Sequence, residues 1–467
     1  MLNDYAYIAM NRFLYGTDAF SYKALQGKRS IYEIQQWLIE QLQEYRLDSQ
    51  LWSSQEAING YYQFKQAQTQ ETKSSANKSS MLPKMNSGNL RKKLVNQSIK
   101  LAEHTALANI NHKQALQSRL LDFFSNHFSV SRQNLPMTLL SPTLEVEAIA
   151  PNLHLNFANM LKAVIQHPSM LLYLNNEQSS GPNSKAVQRQ KNNKKKKIRG
   201  LNENLAREIL ELHTLGVDAP YTQQDVIELA KGITGWSVGS VKRNEPAAFK
   251  FRPFTHEPGA RMLLGKTYPQ AENGQQQGLS MLNDIAIHPA TAQHISYKLA
   301  KHFIADSPGK GMVDSMARTW LKTNGHIPSV IETLIKHKES WSLTLQKFKT
   351  PREFVISTCR ACGVTKLRPD LYRTLVILGQ GMFEAGSPAG YEDDQNAWLG
   401  ASALNSRIEW TSHFSNAVAN NKKDILELAN RTLGPLLSDD TLQTIRRAES
   451  KQQALTMLLM SPEFQRR

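Results

Sequence analysis

A network of disulfides is the first thing this chain lacks. It holds only two cysteines, Cys359 and Cys362, so no disulfide framework can form. Their spacing would suit a redox pair or half a zinc site, but no second cysteine pair completes one. They sit in EFVISTCRACGV, which has helical spacing, and two small core residues are expected there. Long apolar runs are missing too. None approaches the roughly 18 residues that a membrane-spanning helix needs. The opening MLNDYAYIAMNRFLYG has Asp4 early, Arg12 late and no apolar stretch of the kind an export signal carries. The expectation from these features is a cytoplasmic, soluble protein without a membrane span.

Acidic residues are the third shortage, with 40 Asp and Glu against 56 Lys and Arg, a formal net charge of +16. That excess invites a nucleic-acid reading, but its distribution weakens it. Residues 65–93 carry seven bases against one acid, and residues 178–200 carry eight against none. Nearly all the surplus charge therefore belongs to two segments. QAQTQETKSSANKSS and QSSGPNSKAVQRQKNNKKKKIRG hold almost nothing apolar and cannot offset the entropy of ordering. They are expected to be disordered basic insertions into a folded body. Nucleic acid is not the expected partner. A salt-sensitive contact with anionic partners is the sharper alternative role for the two segments.

What remains has helical periodicity. IYEIQQWLIEQLQEY (31–45), HKQALQSRLLDFFSNHF (112–128) and TAQHISYKLAKHFI (291–304) each gather their apolar residues on a stripe. FANMLKAVIQHPSMLLYL (157–174) is expected to break near Pro168 and restart. Strand signals are few: AFKFRPF (248–254) alternates, and a turn and RMLLG follow it. The expected fold is mainly α, a single helical domain over 1–467 with a small β-hairpin or extended arm near 248–268.

NENLAREILELHTLGV (202–217) is the most informative stretch. At about 100° per residue, Glu203, Asn204, Arg207, Glu208 and Glu211 fall on one arc, and Leu205, Ala206, Ile209, Leu210 and Leu212 on the other. Asn202 suits an N-cap, Gly216 a left-handed stop, and Thr222 with Asp225 a capping box for the next helix. Glu203–Arg207 and Arg207–Glu211 are i,i+4 pairs of opposite charge, each worth about 0.2–0.5 kcal/mol on an exposed helix. His213 falls on the apolar side, where a buried, hydrogen-bonded imidazole is expected. A solvated face explains the polar arc. So does a cleft in which its carboxylates bind a metal or act as an acid/base pair with split pKa values. No Glu-x-x-His or His-Glu-x-x-His motif occurs here. The Gly-rich GQGMFEAGSPAG (379–390) lacks the Lys-Ser/Thr ending of a phosphate loop, and a turn-rich loop lining the core is expected. His288, His294 and His302 are spaced by six and eight residues, which reads as surface or packing roles.

NENLAREILELHTLGV followed by YTQQDVIELAKGITGW resembles the signature of the domain of unknown function 1800 family of bacterial proteins. RFLYG (12–16), LLDFFSNHF (120–128), FANMLKAVIQHPSMLLYLNN (157–176) and FRPFTHEPGARMLLGKTY (251–268) resemble further family segments. HPATAQHISYKLAKHFI (288–304), TPREFVIS (350–357), LGQGMFEAGSPAGYEDDQNAW (378–398) and LLMSPEFQ (458–465) extend the likeness over nearly the whole chain. Phe124, Glu257 and Tyr391 depart from the pattern, which has Trp, Asp and Trp there. The resemblance implies a mostly helical fold. It implies as candidate partner the sulfatase- or phosphatase-like domain of unknown function 1501 family, with export beside that signal-bearing partner as the alternative location. It also raises the polar arc to a site candidate. Glu208, Glu211, His127 and His256 are then the candidate catalytic residues. Asn202, Glu203, Asn204, Arg207 and Asn126 are the candidate substrate-binding residues, and a divalent metal is the candidate cofactor. The expected function is an enzyme of hydrolase or transferase type. The alternative is an accessory or assembly role for the partner family.

Overall fold

The computed structural model describes all residues except 1, 46–50, 77–85, 112, 192–199, 272, 368–369 and 422–423. It is mainly helical, with two two-stranded antiparallel sheets. β1 (Trp236–Val238) pairs β2 (Phe249–Phe251) with Trp236 opposite Phe251, and β3 (Arg261–Leu263) pairs β4 (Lys266–Tyr268) with Arg261 opposite Tyr268. The expected hairpin region is therefore two short ribbons. One contiguous apolar cluster runs from Leu2 to Phe464, and a satellite gathers Ala57, Phe64, Leu94, Leu139 and Leu140. Among the described residues no helix is long and apolar enough to cross a membrane.

Local signals place the elements as their chemistry demands. The break at Pro168 falls between helices Phe157–Gln166 and Pro168–Tyr173, and the His167 ring accepts from Ser169 N to start the second. Thr222 and Asp225 form the capping box of helix Gln223–Gly232. Cys359 and Cys362 are buried free thiols in helix Pro351–Cys362. Burial pushes the Cys359 thiol well above its usual range, the opposite of a reactive cysteine.

The basic segments differ from expectation. Residues 65–76 close helix Ser54–Ala76, and residues 87–93 open helix Ser87–Asn111. These helices are anchored by Phe64 and Leu94 in the satellite core. A window of polar composition misses this because the anchoring residues Phe64 and Leu94 stand just outside it. Residues 178–191 are ordered as well. Asn183 donates from its backbone and side chain to Glu257, both at 2.7 Å, and Gly181 N donates to Thr255 O at 2.9 Å. Short polar side chains and backbone make this docking together with a small apolar contribution from the buried Ala186 and Val187. The remainder of both segments, 77–85 and 192–199, lies outside the described residues.

A buried ionic cluster ties distant segments together. Arg119 donates to the carbonyls of Arg12 and Leu14, both at 2.9 Å, and to Glu353 at 2.8 Å. Arg467 reaches the same Glu353 oxygen at 2.7 Å and also donates to the His302 carbonyl. All three side chains are buried, so each charge depends on the others. Glu353→Ala should cost about 3–5 kcal/mol, since it leaves two arginines buried without their shared carboxylate. Chemical denaturation at pH 7 measures this, and a loss below about 1 kcal/mol would contradict it. Burial alone would raise the Glu353 carboxyl, but Arg467 and Arg119 outweigh it and bring it from 4.5 to about 2. A depressed folded value means this stabilisation is complete above about pH 4.5 and fades as pH falls toward about 2. The difference between parent and variant should narrow over that window.

Candidate functional site

The central helix runs as an α-helix over Asn204–Glu208 and then widens to a π-helix over Ile209–Thr214. Such π segments occur mostly as single turns and are common at functional sites. The widening changes the angular position of everything after Glu208. Glu203 and Arg207 pair at 3.5 Å. Arg207 and Glu211, the second pair expected on an unbroken α-helix, form no ion pair among the described residues. Gln223 bridges the first pair, accepting from Arg207 at 2.8 Å and donating to Glu203 at 2.7 Å. Asn202 acts ahead of the helix. Its Oδ1 accepts from Asn204 N, and its Nδ2 donates to the carbonyls of Leu174 and Asn175. Glu208 is half-buried; burial and the neighbouring Glu211 raise its carboxyl, against Arg207.

The helix ends at Leu215 and Gly216, whose amides both return to the Leu210 carbonyl. Carbonyls of the last turn have no amide further along to accept from. Here two imidazoles supply the donors. His127 Nε2 lies 3.1 Å from the His213 carbonyl oxygen. The His294 ring is hydrogen-bonded to the Leu212 carbonyl, and its Nε2 is buried without a partner, so Nδ1 makes that bond. Gly216, at φ +97°, permits the approach, because a Cβ there would come within 2.8 Å of His294 Nδ1. A carbonyl only accepts, so the bonded nitrogens carry the protons. The other nitrogen of each ring, Nδ1 of His127 and Nε2 of His294, is then a bare acceptor.

Both rings line a cavity of about 900 Å³. Helix Pro289–Phe303 forms one wall and presents His294, Lys298 and His302 to it. Lys298 Nζ lies 3.0 Å from His127 Nδ1, and since that nitrogen is bare, the lysine donates. No carboxylate of the described residues comes within ion-pair distance of this Nζ. The nearby acids are engaged elsewhere. Asp393 meets His302 Nδ1 at 3.3 Å and Lys347 Nζ at 3.5 Å. Lys347 also pairs with Asp306 at 2.6 Å, and Asp394 takes Lys301 at 2.8 Å. The Asp393 carboxyl, though raised by burial, is held below its usual range by His302, Lys347 and Arg467. Burial lowers the Lys298 ammonium from 10.5 to about 8, a shift Asp393 and Glu392 only partly oppose. Burial first, and Lys298 second, push His127 well below the usual histidine range, so it is a neutral imidazole at physiological pH.

The expected site residues are dispersed. His127 is on the cavity wall, buried and stacked on Phe123. Asn126 lines the cavity too, but its amide is committed, donating to Tyr391 O at 2.9 Å and accepting from Tyr391 N at 2.8 Å. It fastens the loop that carries Glu392 and Asp393. Asn202, Glu203, Asn204, Arg207, Glu208 and Glu211 do not line this cavity. Nor does His256, which donates to the Thr234 carbonyl at 2.8 Å beside Phe251. His213 is buried as expected, but among the described residues neither ring nitrogen has a hydrogen-bond partner; burial drops it to about 3. Among the described residues no three His, Cys, Asp or Glu side chains are grouped to hold a metal ion.

Lys298, His294, His302 and Asp393 are the residues that sequence reading missed. Their signal was present. Eight residues are two i,i+4 steps, and each step drifts by only about 40°, so His294, Lys298 and His302 share an arc of about 80°. His288, by contrast, caps the start of their helix, its ring accepting from Ala290 N. The Gly-rich loop does line the cavity, through Gln380, Gly381, Met382, Phe383 and Gly390 among others.

The chain belongs to the family described as Protein of unknown function (DUF1800), whose model matches residues 8–466. No curated protein and no solved structure matches it.

A buried ammonium without a carboxylate partner lowers stability. Lys298→Met should therefore be more stable than the parent at pH 7, by on the order of 1–3 kcal/mol. The sign follows from the folded value near 8 lying below the ordinary 10.5. The unfolded chain binds more protons between the two, so the parent gains stability as pH rises through that window and the advantage of the variant shrinks. Denaturant midpoints at pH 7 and at pH 9.5 test this. A variant less stable than the parent at pH 7 would show that the lysine is compensated after all.

Proposed function

We propose that the chain is an enzyme whose active centre is this cavity and whose reactive group is the Lys298 amine. The observation that carries the reading is one directed chain of hydrogen bonds. Lys298 Nζ donates to His127 Nδ1 at 3.0 Å, and His127 Nε2 donates to the His213 carbonyl at 3.1 Å. A nucleophile, a base beside it and a third group that orients the base is the recurring arrangement of covalent catalysis. The carbonyl fixes the tautomer, so the bare nitrogen of His127 always faces the amine. The amine, once its proton is lost to solvent, adds to an electrophilic carbon, and the bare Nδ1 of His127 accepts the proton that the nitrogen then sheds.

The reading keeps the enzyme type expected from the sequence, a hydrolase- or transferase-like activity. It places the chemistry on Lys298 and His127, with Glu208 and Glu211 outside the cavity. The supporting electrostatics are consistent: the amine is neutral in a useful fraction near pH 8. Asn126 and Tyr391 act by holding the Glu392–Asp393 loop in place.

Competitive acylation of the whole protein with acetic anhydride between pH 6 and pH 11 tests this. Lys298 should reach half its limiting reactivity near pH 8, and at pH 8 should react faster than the exposed Lys250. His127→Phe should lower its rate at pH 8 by about tenfold or more, since a positioned base contributes about 10²–10⁴-fold. A Lys298 that stays inert, or that titrates together with Lys250, would remove the proposal.

A further inference from the structure

The hydrogen-bond chain does not say why an amine is there at all. His127 already offers a neutral nitrogen beside the cavity. A site needing only a base has one without the lysine. What a primary amine adds is a nitrogen that can form a double bond to carbon with loss of water. Hydroxyl, thiol and imidazole nucleophiles cannot do this. The walls say which kind of compound fits. Tyr297, Val313, Met382 and Phe383 add apolar surface to the cavity, and its size of about 900 Å³ admits a molecule larger than a two- or three-carbon acid.

We propose that Lys298 forms a Schiff base with an aldehyde or ketone that has an apolar body, with His127 carrying its protons. This rests on the reading of the cavity as an active centre and names the substrate class of that site.

The step balances with the groups in place. Nζ adds to the carbonyl carbon, the C–N bond forms, and the carbonyl electron pair moves to oxygen. The bare Nδ1 of His127 takes one amine proton and passes it to that oxygen. A second amine proton follows by the same imidazole. The oxygen leaves as water, and the nitrogen lone pair closes the C=N bond. Both amine protons end in the water released, and nothing is oxidised or reduced. The burial that keeps Asp393 engaged with His302 and Lys347 matters here, since a carboxylate on Nζ would hold the amine protonated.

The test is reductive trapping. The full chain is incubated with benzaldehyde and sodium cyanoborohydride at pH 8, and benzylated lysines are mapped by peptide mass spectrometry. Lys298 should be modified at least about tenfold faster than the exposed Lys250, against the ordinary preference for accessible amines. His127→Phe should abolish that preference while leaving the Lys250 adduct unchanged, and circular dichroism of the variant reports its fold. If the variant does not fold, competition decides: 4-methylbenzyl alcohol, which fits the apolar wall but has no carbonyl, should slow Lys298 trapping in the parent and leave Lys250 unaffected. Absence of a Lys298 adduct, in a protein whose Lys298 is acylated with a midpoint near pH 8, overturns the Schiff base and leaves the active-centre reading standing. A Lys298 inert to both reagents overturns both.

Discussion

Two backbone carbonyls at the end of one helix set the site. A helix that stops inside a protein leaves its last carbonyls without amide partners, and buried ones must find donors. Leu212 and His213 find them in His294 and His127. Each imidazole has one proton to give when neutral, so satisfying the helix end decides which nitrogen of each ring is left bare. Of the two bare nitrogens, Nδ1 of His127 receives Lys298, while Nε2 of His294 is enclosed. A backbone requirement of the fold thus fixes side-chain protonation in the site. The π-helical turn belongs to the same constraint, because it sets where the helix ends and where the carbonyls aim.

Around this lies a second layer, in which charge is spent on structure and withheld from the lysine. Arg119, Glu353 and Arg467 form a buried cluster that His302 joins through Arg119 at 3.3 Å. His302 passes the contact to Asp393, and Asp393 to Lys347. One helix, Pro289–Phe303, carries both the committed His302 and the uncommitted Lys298, one turn apart. The ionic cluster fixes that helix in place, and the lysine takes its environment from what the cluster has already consumed. Rigid support of this kind is what a reactive group needs to stay within reach of its base.

Much of the architecture was legible. Helical periodicity, the restart at Pro168, the capping box at Thr222 and the left-handed Gly216 all follow from local rules, and all are found. Local rules also explain the errors. A wheel turned at a constant angle cannot register a π-helical turn, so the Arg207–Glu211 pair was expected where none forms. Composition windows read 65–93 as unstructured because Phe64 and Leu94, the residues that anchor those helices, stand just outside the window. Polar residues of 178–191 dock by hydrogen bonds, which carry no hydropathy signal. For the site, the sequence drew attention to a helix whose polar arc does not line this cavity. Its polar arc is conspicuous as text, but its contribution to the cavity is the pair of terminal carbonyls and the turn Leu215–Pro220. Carbonyls are the same for every residue type, so no reading of side chains could have singled them out.

The position of Lys298 is what distinguishes a site from a well-packed interior. Most buried charges in this chain are answered within hydrogen-bond reach: Arg12 by the carbonyls of Ser340, Ser342 and Thr344, Arg407 by Lys349 and Gln465, Lys347 by Asp306 and Asp393. Lys298 differs in that its one bonded neighbour is a neutral imidazole with no charge to offer. Packing alone would be served better by methionine at that position, which fills similar volume without desolvating a charge. A loop bearing two adjacent acids, Glu392 and Asp393, lies on the same cavity wall, so the means of neutralising Lys298 is at hand and its nearer acid is turned away by His302 and Lys347. An amine kept near its point of deprotonation, beside a base of fixed tautomer and open to a cavity, is arranged for proton transfer rather than for stability.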